Sequence, residues 1–520
     1  MWIFCLICLF SGVNLANVHS PFDLEIISII PCNISVGVAL PFTGAALRVA
    51  EDAVNAEFLG RLNLTVTLLY QETDRVCEDT DAHAPLLLAE YYNKKALGRC
   101  VAVVGSACGG LSIAPFLAKE WDVLLFSNSL VASTSISQTV SPTSIGMVAS
   151  YESIAASLLN LFRIFQWLHV TMLLDAAAAT DFYFQVCQST KTLLLTEQFS
   201  DFRVDGTRFT LADTPSVHEA LKFANARSRV FVMMSHTSVA IKLMRFLKTD
   251  RLFIPGDQVF VVLQPTQQAA YGAVSLFDNP DVFDVELFRS TLYLTTYVAT
   301  GGGFPKLNQQ LAAKSQELYG TALQTGLQPL DVYLIRETYN SVRLFAALVN
   351  DSLDSQPWDN NTIHSADSVC GGGRLRSLMT NRTFRFPSGP VFIDANGYRH
   401  TDLLLYTFHP KTLSFQVVSR YDAILQRYLW DQNVSIEWLT GKPPLDIPPC
   451  GFSGNEGPCL PQDFARQNLL AVLLAVLSVI FITTMPLLIH RKLRNASREE
   501  TWWILHHPVV NALEKRTTSI

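Results

Sequence analysis

The sequence predicts an α/β protein of two lobes, followed by one membrane-spanning helix. Two observations carry that prediction. From about residue 34 to residue 263, short β-branched runs alternate with amphipathic helical stretches in two successive blocks, the pattern of parallel sheets covered on both faces. Farther on, Leu469–Ile489 holds 21 residues without a charge. As a helix this run would be about 31 Å long, enough to cross a bilayer core. His490, Arg491, Lys492 and Arg494 come directly after it, a basic stop of the kind found on the cytoplasmic side. A soluble core helix of that length would normally keep a polar face.

In chain order, Ile34–Leu40 reads as the first strand, with Pro41–Gly44 as its turn. A helix comes next with Leu47, Ala50, Val54 and Phe58 on one face. Leu62–Tyr70 is a strand, Asp79–Asn93 a helix, Val101–Val104 a short buried strand, then a helix to about Lys119 and a strand at Val123–Phe126. The second block repeats the rhythm as a separate lobe: helix Ser150–Trp167, strand His169–Leu174, helix Asp181–Leu195, helix Val217–Ala226, strand Val230–Met234, helix Ser238–Leu247 and strand Val259–Leu263. Ser216 and Glu219 have the spacing of a capping box. Helices return at Lys306–Leu318 and Asp331–Val349. Phe384–Val418 alternates like β-strands, with turns at Pro387–Gly389 and Ala395–Gly397. Gly301–Gly303 and Gly371–Gly373 read as flexible loops; neither precedes the Lys-Ser/Thr of a phosphate loop.

Composition bounds the function. With 49% apolar and 16% charged residues the chain is globular, and a net charge of −6 without a basic stripe argues against a nucleic-acid partner. Residues 1–20 read as a secretory signal without the usual basic start; a buried N-terminal strand is the alternative. Six N-x-S/T sequons, at Asn33, Asn63, Asn350, Asn360, Asn381 and Asn433, lie ahead of the span, which suits secretion and glycosylation. A seventh, at Asn495, falls on the cytosolic side. In an oxidising compartment the cysteines after the signal are disulfide candidates. The CxxC at Cys5–Cys8 lies inside the signal and no HExxH occurs, so neither a metal nor a cofactor is called for.

Pro443-Pro-Leu-Asp-Ile-Pro-Pro-Cys-Gly-Phe452, with Cys459 beyond it, resembles the Pro-rich juxtamembrane segment of natriuretic-peptide-type receptor guanylate cyclases and their clearance-receptor relative. Asn381-Arg-Thr-Phe384 with Asp394, Gly397, Arg399 and Asp402 is similar to that family's hairpin region, and Val76-Cys77-Glu-Asp79 with Val103–Cys108 to a region of its first lobe. The resemblance covers nearly the whole chain. It implies a two-lobed, type I periplasmic-binding-protein-like domain that takes an extracellular peptide and works as a homodimer, or as a heterodimer with a full-length relative. The implied layout is a signal peptide at 1–20, a ligand-binding domain at 21–440, a Pro/Cys stalk at 441–468, the span at 469–489 and a cytoplasmic tail at 490–520. The expectation is a single-pass cell-membrane protein with its N-terminus outside and the bilayer as a partner.

The same resemblance pairs Cys77 with Cys108, with Cys100 as a nearby competitor. Asp79 matches a hormone-contact position, although a carboxylate there also stabilises the first turn of a helix without any ligand. Tyr70 stands where the family's chloride pocket has a serine; the amides of Ala107 and Cys108 can still favour an anion, or simply form a glycine-rich turn. The family partner of Cys187 would fall near Met234, which leaves Cys187 as a buried thiol or paired with Cys370. Cys450 and Cys459 enclose eight residues, so a local bridge stiffening the stalk is favoured over a link between chains.

The 31 residues from His490 to Ile520 cannot enclose the family's kinase-like and cyclase domains. The expectation is therefore a receptor that is not itself an enzyme and acts as a clearance, decoy or partner subunit. Glu500–Ile504 resembles the family's stretch before the kinase-like domain. That supports a second expectation, the front of a receptor guanylate cyclase shortened by splicing or gene prediction. A third is a small-metabolite sensor using hydroxyls such as Ser127, Ser129, Ser133 and Thr134.

Overall fold

The computed structural model describes residues 21–32, 39–74, 77–96, 98–105, 113–128, 139–178, 182–263, 284–297, 303–321, 333–355, 366–459 and 462–499. They form two compact units, one running to Ile447 and one from Pro448 onward.

The first lobe opens with β1 (Phe22–Ile29), α1 (Leu40–Glu57), β2 (Leu62–Leu69), α2 (Cys77–Tyr91), β3 (Cys100–Gly105), α3 (Ala114–Glu120), β4 (Leu124–Ser127) and β5 (Ser144–Gly146). The five strands are parallel, in the order β2-β1-β3-β4-β5. A strand at Phe22–Ile29 leads the lobe; of the expected strand Ile34–Leu40, residues 34–38 lie outside the described ones and Leu40 is the first residue of α1. Pro41–Gly44 is no turn but the first turn of α1, where proline's missing N–H costs nothing and its fixed φ suits the helix. Strand β1 is hard to read because a carboxylate interrupts it at a buried position. Glu25, 5% exposed, is satisfied by Tyr91 Oη at 2.5 Å, Thr67 Oγ1 at 2.7 Å and Arg99 Nη1 at 3.2 Å. A charge removed from water is tolerable only with such partners.

The second lobe continues with α4 (Tyr151–Ile164), β6 (His169–Asp175), α5 (Phe182–Leu193), β7 (Arg203–Phe209), α6 (Thr214–Asn225), β8 (Val230–Met234), α7 (Thr237–Thr249), β9 (Val259–Leu263), α8 (Val285–Arg289) and β10 (Thr291–Thr296). Strand β7 has no sequence signature because it is an edge: its polar, Gly-containing RVDGTRF faces solvent along much of its length. The capping box at Ser216 is absent. Helix α6 begins at Thr214 with Pro215 in its first turn, and Ser216 Oγ instead accepts from the Thr210 amide at 3.2 Å.

The chain then returns to the first lobe. Helices α9 (Phe304–Tyr319), α10 (Tyr333–Asp354), α11 (Ala366–Cys370) and α12 (Gly372–Met379), with the hairpin β11 (Arg382–Phe386) and β12 (Gly389–Ile393), supply residues to its core. Helix α10 is buried on nearly every side, including Arg336, Glu337, Asn340 and Ser341. Cys370 bonds to Cys100, stapling α11 to β3 across 270 residues of sequence, which rules out a Cys187–Cys370 bridge. Cys187 is a buried thiol whose pKa burial pushes up. Finally β13 (Leu403–His409), β14 (Ser414–Asp422) and β15 (Arg427–Trp430) add antiparallel to β10. The second sheet reads β15-β14-β13-β10-β9-β8-β6-β7.

Chain beyond residue 440 still belongs to this lobe. Trp167 Nε1 donates to the Pro444 carbonyl at 2.7 Å, and Asp446 Oδ2 accepts from the Leu168 and His169 amides, both at 2.8 Å. In the second unit Cys450 and Cys459 form a disulfide, and α13 runs from Gln462 to Glu499. Within α13, Asn468–Ala496 is long and apolar enough to cross a membrane, its most apolar 18-residue window having a mean hydropathy of 2.7 and no burial inside the protein.

Gly371–Gly373 is not a free loop: Gly372 begins α12 and is packed tightly, while Gly373 is exposed. The Gly372 and Gly373 amides donate to the Asp122 backbone and side-chain oxygens at 2.6 and 3.0 Å. A Cβ on Gly372 would lie 2.7 Å from the Val123 carbonyl carbon, whereas one on Gly373 meets only Asp122 Oδ1 at 3.6 Å. Gly372→Ala should therefore cost roughly 1–3 kcal/mol, and Gly373→Ala within about 0.5 kcal/mol of nothing. Denaturant unfolding of the two variants against wild type checks the contrast.

Candidate ligand cleft and interlobe hinge

Parallel α/β sheets present ligands at the carboxyl ends of their strands. In the first lobe β4 ends at Ser127 and Asn128, both buried. Asn128 Nδ2 donates to Thr338 Oγ1 at 3.2 Å and its Oδ1 accepts from Ser341 Oγ at 3.0 Å, so this end is tied to α10. Ser127 is 4% exposed, while Ser129, Ser133 and Thr134 lie outside the described residues. In the second lobe β6 ends at Asp175. There a cavity of about 220 Å³ is lined by Asp175, Tyr183, Phe184 and Arg208. The Tyr183 ring meets His236 edge-on with centroids 5.4 Å apart, and burial lowers the His236 pKa against the pull of Asp175.

Among the described residues the chain passes from one lobe to the other after β5, after β10 and after β12, and the third crossing binds the other two. Gly146 N donates to the Gly397 carbonyl at 2.9 Å, Arg399 N to the Gly146 carbonyl at 2.8 Å, and Tyr297 N to the Asp402 carbonyl at 2.8 Å. Asp402 is held by Arg420 Nε at 2.7 Å and the Ala423 amide at 3.0 Å, with the Arg420 guanidinium 4.7 Å from the Tyr297 ring centre. Gly397 has φ +85°, and a side chain there would strike Arg376 Nη2 at 2.8 Å. That guanidinium donates to the Ser141 and Asn396 carbonyls, which closes the turn on the first lobe.

Behind the crossing lies a buried ionic cluster. Glu337 of α10, fully buried, receives Arg336 Nε at 3.0 Å and Asn340 Nδ2 at 3.0 Å, and its Oε2 also contacts Arg399 Nη1. Tyr333 Oη and Thr401 Oγ1 lie 3.0 Å apart beside it. Burial, reinforced by the Arg336 charge, pulls the Arg399 pKa down to about 9, and burial pulls Arg336 down to about 10. Both remain charged at neutral pH. One carboxylate thus bridges α10 and the crossing, and its loss would strand two cations away from water.

Asp79 lies in the first turn of α2 and is half-buried. Cys77 opens that helix, whereas Cys108 and Ala107, and with them the expected Cys77–Cys108 bridge and anion contact, lie outside the described residues. Tyr70 stands 40% exposed just past β2. Among the glycosylation candidates Asn63, Asn381 and Asn433 are exposed, Asn350 sits half-buried in α10, and Asn33 and Asn360 are outside the described residues. Among the described residues no group of His, Cys, Asp or Glu could hold a metal ion. Sequence reading marked Asp394, Gly397, Arg399 and Asp402 as one motif without seeing that they line the third crossing between the lobes. It missed Glu337 altogether; an Arg-Glu pair inside an apolar helix was the available signal.

A family model described as "Receptor family ligand binding region" matches residues 43–411. The chain is similar to atrial natriuretic peptide receptor 2 of Anguilla japonica, 26% identical over 211 residues that cover 40% of this chain and 19% of that protein. It is 22% identical to guanylate cyclase 2G of Mus musculus over 511 residues, 94% of this chain and 44% of that protein. It is 32% identical to the receptor-type guanylate cyclase gcy-28 of Caenorhabditis elegans over 124 residues, 24% of this chain and 9% of that protein. The chain spans less than half the length of each of these relatives.

Glu337→Gln should destabilise the protein by about 3–5 kcal/mol, the usual result of removing one partner from a buried ion pair. Asp354→Asn, which removes the exposed partner of Arg61, should cost no more than about 1 kcal/mol. Equilibrium unfolding midpoints measure both.

Proposed function

Because this chain belongs to the receptor family ligand binding region family, we propose that it is the ligand-binding part of a single-pass cell-surface receptor for an extracellular peptide. The observation that carries the reading is the hinge: two closed cores joined by three crossings, with one buried ionic cluster behind them. Such lobes move as bodies, which lets a ligand at their margins change the orientation of the whole. The peptide class rests on the likeness to atrial natriuretic peptide receptor 2. Exposed sequons at Asn63, Asn381 and Asn433 support an extracellular ectodomain, and the apolar helix at Asn468–Ala496 supports a membrane span. With the basic cluster after Ile489, the N-terminus faces outward.

Pairing of two chains, or of this chain with a longer relative, fits an apolar patch on the first lobe. Leu86 of α2 is 67% exposed and Phe116 of α3 53% exposed, and Ile113 beside them is also exposed. Phe116→Glu should leave folding intact and reduce self-association, read by sedimentation in detergent. An unchanged dimer fraction would remove this patch from the interface.

Cells expressing the full chain should display an epitope placed after residue 20 without permeabilisation, and should bind and internalise labelled peptides from fractionated tissue extracts. Binding of free amino acids instead would favour the metabolite-sensor reading, for which the cavity at Asp175 is the specific support. A clearance, decoy or partner receptor and the front of a receptor guanylate cyclase differ in whether coding sequence continues past Ile520, and the resemblance at Glu500–Ile504 favours the second. Long-read sequencing of the transcript across that point separates them. Cyclic GMP synthesis by the expressed 520-residue chain alone would overturn the first.

A further inference from the structure

One side chain in the third crossing joins the lobes directly. His400 Nε2 lies 3.1 Å from Asp394 Oδ2, in the turn that leaves the first lobe, and its Nδ1 lies 2.9 Å from the Ala423 carbonyl in the second. Ile393, next to Asp394, is in the first-lobe core and Ala423 is in that of the second. A carboxylate and a carbonyl accept hydrogen bonds and cannot donate them. Both ring nitrogens must therefore donate, and only the imidazolium carries two N–H groups. A neutral ring would turn a lone pair toward one of the two oxygens. We propose that His400 is a proton-operated clasp between the lobes, tying Asp394 to Ala423 when protonated and holding one side alone when neutral. This extends the receptor reading but does not depend on the ligand.

The charges around the ring favour the closed clasp. Asp394 faces it from the turn after β12, fixed by the Asn396 and Tyr398 amides at 2.9 and 2.8 Å. Asp402 faces it from the head of β13, shared with Arg420 of β14. The flanking Arg399 is engaged with Glu337, and Asp422 of β14 accepts from its own turn at Ile424 and Leu425. The Phe392 ring, 5.7 Å away, is uncharged. Accordingly the hydrogen bond to Asp394 raises the His400 pKa, with burial opposing it. A raised pKa means that the clasp is fully present below the unfolded value of about 6.5 and is lost as pH rises through the higher folded value. The lobes are thus tied most firmly in acidic surroundings and released toward alkaline pH.

The test is amide exchange of the full chain in lipid nanodiscs, corrected for intrinsic rates, monitored from about pH 5.5 to about pH 8.5. Peptides covering the third crossing and the β14–β15 turn should lose protection through a single titration step, by roughly tenfold for each unit that the closed hinge raises the pKa. His400→Gln should flatten that step, and Asp394→Asn should move its midpoint to lower pH. A flat wild-type profile, a step that survives in His400→Gln, or an unmoved midpoint in Asp394→Asn would each overturn the clasp.

Discussion

The Glu337 carboxylate, held between Arg336 and Arg399, is the constraint on which the rest of the molecule depends. A carboxylate and two guanidiniums so far from solvent are tolerable only when opposite charges stand together. That geometry requires α10 to lie where the third crossing passes, and the crossing to arrive in one register. Around it the Ser388 hydroxyl donates to Asn340 Oδ1 and Tyr333 Oη lies 3.0 Å from Thr401 Oγ1, neutral groups that hydrogen-bond to each other. An apolar cluster would hold the same elements together with less regard for register. The ionic one penalises any sliding of the crossing past the helix, because a shift would separate the charges.

Each lobe is closed around its own core before that hinge is considered. The first core takes residues from both ends of the ectodomain, since α9 to α12 and the β11–β12 hairpin come after the whole parallel part of the second lobe. The Cys100–Cys370 bridge joins these two portions. By closing a long loop it removes conformational freedom chiefly from the unfolded chain. The second core extends to the edge of the Pro-rich segment, where Trp167 and the Asp446 carboxylate hold the backbone of residues 444–446 against the start of β6. Residues 444–446 are therefore pinned to the second lobe and are not a slack linker.

Much of the fold was legible along the chain. Strands β2, β3, β4, β6, β8 and β9 and helices α4, α5, α7, α9 and α10 stand where hydrophobic period and length put them. The departures have separate physical causes. Strand β1 hides a buried glutamate, β7 is a polar edge, and a proline that reads as a turn starts α1. Gly371–Gly373 reads as freedom because glycine is permissive, but Gly372 is small because β4 passes too close for a side chain.

The long apolar helix, the alternation of strand and helix and the family motifs are properties of neighbouring residues, and the sequence by itself determined them. Which lobe each late element joins, which cysteine meets Cys100, and why Asp394, Arg399, His400 and Asp402 stand together were decided only by tertiary structure. Periodicity reports which face of an element is buried, and it carries no information about the partner that buries it. That partner depends on where a chain that crosses three times between two cores comes to lie.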